Sequence, residues 1–487
     1  MGLVLNNMHS FKHKSTNARE ITPLELLRHS QLHGANRLAD KTSRWLWAPA
    51  LLAVLGAAII LVILTVERYE ETPIYMVQHE QVFMKRHFPA VTLCPEVRFV
   101  DEKIDAFLDE IKYPPNMNST STREIINQLA AFYSLDVVYN LGDLLRLEEL
   151  LEYNDLDVET AAERLTATCE ETLIKCRFGN VLLNCSDIFQ MELTGDGFCC
   201  IFNGRSLRRE MEEGVKIKRT PQHWYTREFG YTSGLSIAVN QSQKPTSIDL
   251  TYKWIALQTS QHFVDTTMNG TALNPGAEQW ISYSSIGFQI AKGAKTLSPS
   301  LRKCNMSTNV LRYFPHYSKN YCLQEKEMAN TLNKCGCVRT PHPRPPGTTR
   351  CRAPMLLCAT QAMISYDTSA DCPLTCDVEN IIVTASSFTL DPTVRTVESF
   401  YNGLNFKKVT VVRIFIQGRK RKTKERWSYF GYYDLFSQLG GMFNVCFGCS
   451  VLTMLELLQI GWRFMLIRIQ RYLDNRHIRH VKHPQKK

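Results

Sequence analysis

The sequence predicts a membrane protein of the α+β class, in which two transmembrane helices flank a large, disulfide-rich, β-based extracellular domain with peripheral helices. Three observations predict this class. Apolar residues concentrate in two segments near the ends of the 487-residue chain. Basic residues outnumber acidic ones on the terminal side of each segment, and fourteen of the sixteen cysteines lie between the two segments. About 370 residues separate the two segments, enough for a substantial folded domain.

The first apolar segment is Trp45 to Val66, 22 residues without a charge. That length is enough to cross a bilayer once as a helix. A cleaved signal peptide is not expected, because 44 mostly polar residues precede the segment and no small-residue cleavage site follows it before Glu67. We therefore predict a signal anchor at 45–66 and a cytoplasmic N-terminal region at 1–44.

A second membrane segment is predicted at 437–466. Its part from Gly440 to Leu466 would extend roughly 40 Å as one helix, more than the hydrocarbon core requires. The carboxylate of Glu456 lies midway, and a buried ionisable group is costly unless it faces water or a partner. Backbone carbonyls at the glycines and the hydroxyl of Ser450 are the oxygen ligands that hard cations prefer. A pore-lining helix and an ordinary anchor with packing glycines both remain open at this point.

Charge predicts the orientation. Residues 1–44 contain seven Lys or Arg against three acids, and residues 463–487 contain eight against Asp474 alone. Because Lys and Arg flanks stay in the cytoplasm, both termini should be cytoplasmic, with a basic tail at 467–487 and an extracellular domain at 67–436, in the plasma membrane. The net charge of +10 follows from this topology, and without a binding motif it predicts no nucleic-acid partner.

The predicted extracellular domain holds all the glycosylation sequons, at Asn118, Asn184, Asn240, Asn269 and Asn305. Its fourteen cysteines, an even set in an oxidising compartment, predict seven disulfides, whereas Cys446 and Cys449 in the second membrane segment should be free thiols.

Periodicity predicts the elements of this domain. Helical spacing of apolar residues predicts surface helices within 121–168, and short alternating runs predict a β-rich part from 176 to 305. A basic cluster at Arg419 to Arg426 is interpreted as a solvated loop; it has no functional explanation and would oppose cation entry if it lay near a pore. The other expected elements are a strand in Phe88 to Phe99, a helix at Asn320 to Asn333, a helix near Pro392 to Leu404 and a strand at Lys407 to Gln417.

Other chemistry is disfavoured. Cys335-Gly-Cys337 with His342 nearby could suggest zinc, but an extracellular location favours disulfides, so no metal is expected. The acids within 121–168 could sense cations or protons, although such a run is ordinarily the solvated face of a helix. His33 beside Gly34 is, from spacing alone, a cap or turn residue. No nucleophile motif is present among the extracellular residues, so an enzyme is not expected.

Several short motifs, in this order and between two membrane segments, resemble those of the degenerin and epithelial sodium channel family, most closely its insect pickpocket branch. The resemblance covers the chain from about residue 29 onward. The motifs are His33-Gly34, Phe88-Pro-Ala-Val-Thr-Leu-Cys94, Gly197-Phe-Cys-Cys-Ile-Phe-Asn203, Cys335-Gly-Cys337, Gly440-Gly441, Gly448-Cys449-Ser450 and Leu455-Glu456.

The resemblance implies an acid-sensing-channel-like trimer that is a voltage-independent, amiloride-sensitive sodium channel. Gly448, Cys449 and Ser450 resemble the family's selectivity filter, to which three subunits around one axis contribute. Three Glu456 carboxylates would raise the local cation concentration. No cofactor is implied beyond the permeant sodium ion.

Gating residues are also implied by the resemblance. His33-Gly34 resembles the family's gating element. Ser437 falls at the degenerin position, where family members carry a small residue and bulky replacements hold the pore open. The implied partners are membrane lipid and related channel subunits, in a homo- or heterotrimer, and the implied role is a response to a mechanical or chemical stimulus that the sequence does not identify.

The resemblance further implies how the cysteines pair. The family's usual additional bridge in the helical thumb is missing here, since its two positions are Lys326 and Ala370. The implied pairs are Cys94 with Cys199, Cys176 with Cys185, Cys304 with Cys376, Cys322 with Cys372, Cys335 with Cys358 and Cys337 with Cys351. Cys169 and Cys200 are then left over and are predicted to bond to each other.

The chain departs from the family pattern within the second membrane segment. Asn444 stands where family members commonly have glycine, and Gln438 stands where several acid-sensing members have an acid. These departures motivate an alternative function, a non-conducting auxiliary subunit of a heteromeric channel. A two-span cell-surface receptor is the third function considered.

Overall fold

The structure is a computed structural model. It describes residues 33–71, 73–95, 98–204, 224–241, 254–259, 270–340, 342–364, 372–391, 393, 398–429, 432–456 and parts of 458–469. Most of the two predicted cytoplasmic segments and the sequon at Asn269 therefore lie outside the described residues. The chain divides into two compact units, one formed by Met1–Tyr75 with Ser428–Lys487 and the other by Met76–Trp427.

The described α-helices are distributed over both units, with short 3₁₀ turns at Ile126–Phe132, Ala353–Met355 and Ser399–Tyr401. The helices are α1 (Ala35–Ala39), α2 (Arg44–Glu71), α3 (Asp101–Glu110), α4 (Ser119–Ile125), α5 (Leu141–Tyr153), α6 (Val158–Leu165), α7 (Cys169–Thr172), α8 (Cys185–Ile188), α9 (Lys292–Lys295), α10 (Pro299–Arg302), α11 (Lys319–Cys335), α12 (Leu356–Ile364) and α13 (Tyr432–Phe447).

The β-strands of the described residues form an eight-stranded, a five-stranded and a two-stranded sheet. They are β1 (Ile74–Val82), β2 (Arg86–His87), β3 (Ala90–Cys94), β4 (Leu173–Phe178), β5 (Val181–Leu183), β6 (Phe189–Thr194), β7 (Gly197–Phe202), β8 (Tyr225–Thr226), β9 (Leu235–Asn240), β10 (Trp254–Gln258), β11 (Thr271–Ala272), β12 (Ala277–Ile290), β13 (Val378–Thr389), β14 (Val409–Ile416) and β15 (Lys420–Ser428).

In the unit formed by the chain ends, α2 contains the predicted first membrane segment. Within the described residues it is the one helix that is long and apolar enough to cross a membrane, with a mean hydropathy of 2.8 over its most apolar window. The uninterrupted helix expected from Gly440 to Leu466 is wrong. Helix α13 ends at Phe447, three non-helical residues follow, and helical structure resumes at Val451.

The eight-stranded sheet is organised around β12. This strand pairs along one edge with antiparallel β13 and along the other first with parallel β14 and then with parallel β15. Strands β9, β4 and β5 extend the sheet beyond β14, and β1 pairs with β15. The five-stranded sheet has the order β11-β10-β3-β7-β6, and all five residues of β3 are buried.

The two largest hydrophobic cores of the described residues lie in the larger unit. One lies between the two large sheets and contains Phe88, Phe202, Leu235 and Ile414, each fully buried. The other is helical and confirms the helices predicted within 121–168. Its leucines at 144, 147, 150 and 151 on α5 recur at helical spacing and are at most 4% exposed.

Seven disulfides are present. They join the six pairs that the resemblance implied and the two remaining cysteines, Cys169 and Cys200, as predicted. Cys335 and Cys337 each lie in one of these bonds, which leaves neither sulfur as a thiolate ligand for zinc. Cys446 and Cys449 are free and half-buried. Cross-links of this kind stabilise the fold chiefly by restricting the unfolded chain.

A buried guanidinium group lies on β14, a central strand of the eight-stranded sheet. The side chain of Arg413 on β14 is 2% exposed and bonds Glu278 through Nε and Glu398 through Nη2, at 2.6 Å each. The Tyr401 hydroxyl lies 2.7 Å from the same Nη2. A charge this deep is tolerated because two carboxylates and a hydroxyl replace its water, and the network holds the 3₁₀ turn at Ser399–Tyr401 against the sheet.

Two element predictions need correction. The basic cluster Arg419 to Arg426 is not a solvated loop, because Lys420–Ser428 forms β15 and pairs with β12. The helix expected near Pro392 to Leu404 is represented in the described residues only by the 3₁₀ turn at Ser399–Tyr401. The helix expected at Asn320 to Asn333 is confirmed as α11.

Candidate functional site

The helical structure is interrupted at the predicted filter. Gly448 has φ +65°, a left-handed conformation that glycine adopts at little cost. Its N–H donates to the Asn444 carbonyl at 2.7 Å, which is the αL motif that ends helices, and the Cys449 N–H reaches the Phe443 carbonyl at 3.4 Å. Helix α13 therefore ends where the Gly-x-Ser tripeptide begins.

Ser450 starts the helical segment that follows. Its Oγ accepts the Thr453 N–H at 3.1 Å, and the Ser450 N–H donates to Thr453 Oγ1 at 3.3 Å. This reciprocal arrangement is a capping box built with threonine. Ser450 is exposed whereas Thr453 is 3% exposed, so the serine hydroxyl is fixed in position by a buried neighbour.

The His33-Gly34 motif lies against this break. The His33 N–H donates to the Phe447 carbonyl at 3.0 Å, and a Cβ built on Gly448 would overlap the His33 imidazole. Gly34 has φ +78°, and a Cβ there would lie 3.2 Å from the Trp47 ring on α2. The positive φ angles favour glycine at 34 and 448, and at 448 a side chain would also overlap the His33 imidazole. Two motifs from opposite ends of the sequence therefore form one site.

Other predicted pore residues on α13 are exposed. Ser437 and Gly440 are exposed on α13. Cβ atoms built on Gly440 and Gly441 would meet nothing within 4 Å, so neither glycine packs against a described residue. The packing role considered for these glycines has no counterpart among the described residues. Glu456 is half-buried on the segment after the predicted filter.

Asn444 and Gln438 do not interrupt the helix. Both are exposed residues of α13, and the Asn444 carbonyl is the acceptor that ends the helix at Gly448. In the described part of the chain, the Val445 and Cys446 carbonyls accept no backbone hydrogen bond from outside the helix. The C-terminal end of α13 thus presents carbonyl oxygens with partial negative charge.

In the larger unit, an ion cluster joins four strands. Arg86 on β2 pairs with Glu379 on β13, Ser285 on β12 hydrogen-bonds the same carboxylate, and Arg421 Nε on β15 lies 3.7 Å from it. Burial acts to raise the pKa of Glu379, but the Ser285 hydrogen bond and the charges of Arg421 and Arg86 outweigh it and lower the pKa below its usual range. Glu379 is therefore ionised at neutral pH.

Sequence reasoning missed several participants. Phe447 takes part through its carbonyl, and the Trp47 ring lies where it would crowd a Cβ at Gly34; neither role has a sequence signal. Thr453 has one, because Ser450-x-x-Thr453 matches the spacing of a capping box. The charged cluster around Glu379 depends on strand register, which sequence alone did not provide.

Fold and site together define a β-rich membrane protein with several disulfides and one candidate transmembrane helix. The model of the amiloride-sensitive sodium channel family matches residues 26–460, most of the chain. The chain belongs to this family, whose members are ion channels and not enzymes. The resemblance recognised from the motifs is confirmed.

Known relatives span insects and vertebrates. The chain is 25% identical over 461 residues to the sodium channel protein Nach of Drosophila melanogaster, covering 88% of this chain and 84% of that protein. It is 22% identical to pickpocket protein 28 of the same species, with 64% and 58% covered. It is also 22% identical to acid-sensing ion channel 4-B of Danio rerio, with 91% and 76% covered.

Proposed function

We propose that this chain is a pore-forming subunit of a sodium-conducting, amiloride-sensitive channel made of three related subunits. Residues 437–466 form the second span in this proposal, both termini are cytoplasmic, and Gly448, Cys449 and Ser450 line the narrowest part of the pathway. The observation that carries the proposal is the break between two helical segments at this tripeptide.

Several features of the break favour cation passage. The end of α13 presents backbone carbonyls, the type of ligand that replaces the hydration shell of a hard cation. Three-fold closure would surround one path with three such sets. The open faces at Gly440 and Gly441 leave room for neighbouring α13 helices, because small residues let helices approach closely.

The His33-Gly34 loop is proposed to control this constriction. Two contacts couple the loop to the end of α13. The His33 N–H donates to the Phe447 carbonyl, and the His33 imidazole occupies space that a side chain at position 448 would fill. Movement of the loop would therefore change the last turn before the filter. A mechanical or chemical stimulus acting on the extracellular domain is proposed as the trigger.

The test is two-electrode recording in oocytes that express Ser437→Val, with sodium or potassium outside, amiloride added, and surface protein labelled. A bulky side chain on the exposed face of α13 should prevent closure and produce an amiloride-sensitive current that prefers sodium. Ser437→Ala is the matched control, since it keeps a small side chain and should remain as silent as wild type.

Surface-labelled Ser437→Val without current would contradict the proposal for this chain alone. It would favour the second candidate, an auxiliary subunit, which the exposed Asn444 amide on α13 motivates. Co-expression with a related conducting subunit then separates the two. An auxiliary chain would alter the partner's current without responding to its own Ser437 substitution.

A further inference from the structure

The basic side chains of strand β15 differ in the partners that they contact. Lys420 Nζ lies 3.3 Å from Glu80, and Arg421 Nε lies 3.7 Å from Glu379. Lys424 Nζ lies 5.9 Å above the ring of Phe288, a cation–π contact. Arg426, close to the end of the strand, has no such partner among the described residues.

Arg426 is nonetheless buried. It is 8% exposed, and its Nη1 has no hydrogen-bond acceptor in the described part of the chain. No ion pair forms there either, and burial lowers the pKa of the guanidinium. An arginine remains charged at any physiological pH, and leaving a buried charge uncompensated is strongly destabilising. The described residues therefore leave this position without an acceptor.

The strand register shows what surrounds the side chain. Arg426 pairs with Ile290 and Lys424 with Phe288 on β12, and residues two apart share a face of a strand. Ile290 is 7% exposed and packs with Ala294 and the Cys304–Cys376 disulfide. The Ala291 N–H donates to the Arg426 carbonyl at 2.9 Å and fixes the strand end. The guanidinium therefore lies beside an apolar cluster.

We propose that Arg426, assisted by Lys424 on the same face, binds a small inorganic anion, which is chloride in an extracellular medium. Two cationic groups beside an apolar cluster attract an anion strongly because little water screens them. The burial of Arg426 favours a compact ion over a lipid phosphate, whose ester chains need an open approach. The site is independent of ion conduction and goes beyond the proposed channel function.

The experiment measures thermal unfolding of the purified full-length protein in detergent. Melting temperatures are compared in sodium chloride and in sodium gluconate at equal ionic strength, because gluconate is too large for a buried site. Chloride should raise the melting temperature by about 2 °C or more, since a ligand that binds only the folded state stabilises it.

Arg426→Met should abolish the difference between the two salts. In gluconate this variant should be at least as stable as wild type, because an unpaired buried charge is replaced by an apolar side chain of similar length. Lys420→Gln is the matched control on the same strand. It removes an exposed charge that is paired with Glu80 and should keep the full chloride effect.

Other outcomes overturn the proposal. Equal wild-type melting temperatures in both salts would mean that no anion binds or that a neighbouring chain supplies the acceptor. A rise with inorganic phosphate but not with chloride would assign the site to a phosphate group. If Arg426→Met does not fold, Lys424→Gln decides: it should raise the chloride concentration needed for half of the shift several-fold, and an unchanged midpoint contradicts the site.

Discussion

A methyl group at position 287 tests the ion cluster around Glu379. A Cβ built on Gly287 would overlap the Arg421 guanidinium, which lies over this glycine. Gly287 pairs with Glu379 on one side and with Thr423 on the other. Arg421 therefore reaches from β15 across β12 to β13 through space that only glycine leaves open, and Gly287→Ala should displace it.

The expected cost follows from exposure. The side chains of Arg421 and Glu379 are 16% and 30% exposed, between a surface pair and a buried one. Surface pairs contribute up to about 1 kcal/mol, whereas breaking a buried pair costs about 3–5 kcal/mol. Glu379 keeps Arg86 and Ser285, so we expect a loss of about 1–2 kcal/mol.

Thermal unfolding of the full-length protein measures this loss. Gly293→Ala is the matched control, because a Cβ there meets nothing within 4 Å and the residue lies in helix α9. It should be neutral or stabilising by up to about 1 kcal/mol. In an Arg421→Ala background, Gly287→Ala should cost much less, because the overlapping group is gone. Equal stability of the two glycine variants, or additive effects in the double mutant, would refute the reasoning.

Two further predictions concern the larger unit. Burial, with the nearby charges of Arg339 and Arg350, lowers the pKa of His342 from 6.5 to about 4. Its neutral ring should thus contribute stability above pH 6.5 that is lost as the pH falls toward 4, and the loss should be at most about 3 kcal/mol. His342→Gln should lack this part of the pH dependence of the melting temperature. An identical pH profile for the variant and wild type would contradict the prediction. Asn118 is exposed, whereas the amide of Asn240 donates to the Glu171 carbonyl. Asn118→Gln should therefore remove one glycan in a gel-mobility assay and Asn240→Gln none; the reverse pattern would show that strand β9 is placed wrongly.

Much of the architecture could be predicted because it depends on local patterns. The spacing of leucines predicted the helices around α5, and the 22 uncharged residues from Trp45 predicted the core of α2. The disulfide pairs came instead from the resemblance, since fourteen cysteines alone allow many pairings. Where pattern and packing agree in this way, the sequence is sufficient.

Strand β15 shows why other parts could not be predicted. A run such as Arg419 to Arg426 has the composition of a solvated loop, and no periodicity marks it as a strand. Its structure depends on partners distant in sequence: Glu80 on β1, Glu379 on β13 and the backbone of β12. Carboxylates from other strands compensate the charges of Lys420 and Arg421, so this part of the strand is explained only by register.

The predicted filter illustrates the same limit at the candidate site. The sequence indicated the Ser450 hydroxyl as a possible cation ligand; it did not indicate that its Oγ accepts the Thr453 N–H and contacts Thr453 Oγ1 at 3.0 Å. An oxygen held in this way begins the next helical segment and cannot reorient freely toward a cation. In the described part of the chain, the backbone carbonyls of Val445 and Cys446 at the end of α13 accept no hydrogen bond from a backbone N–H outside the helix. The carbonyls at the end of α13 are therefore candidate ligands beside the tripeptide, and Ser450 also caps the helical segment that follows the break.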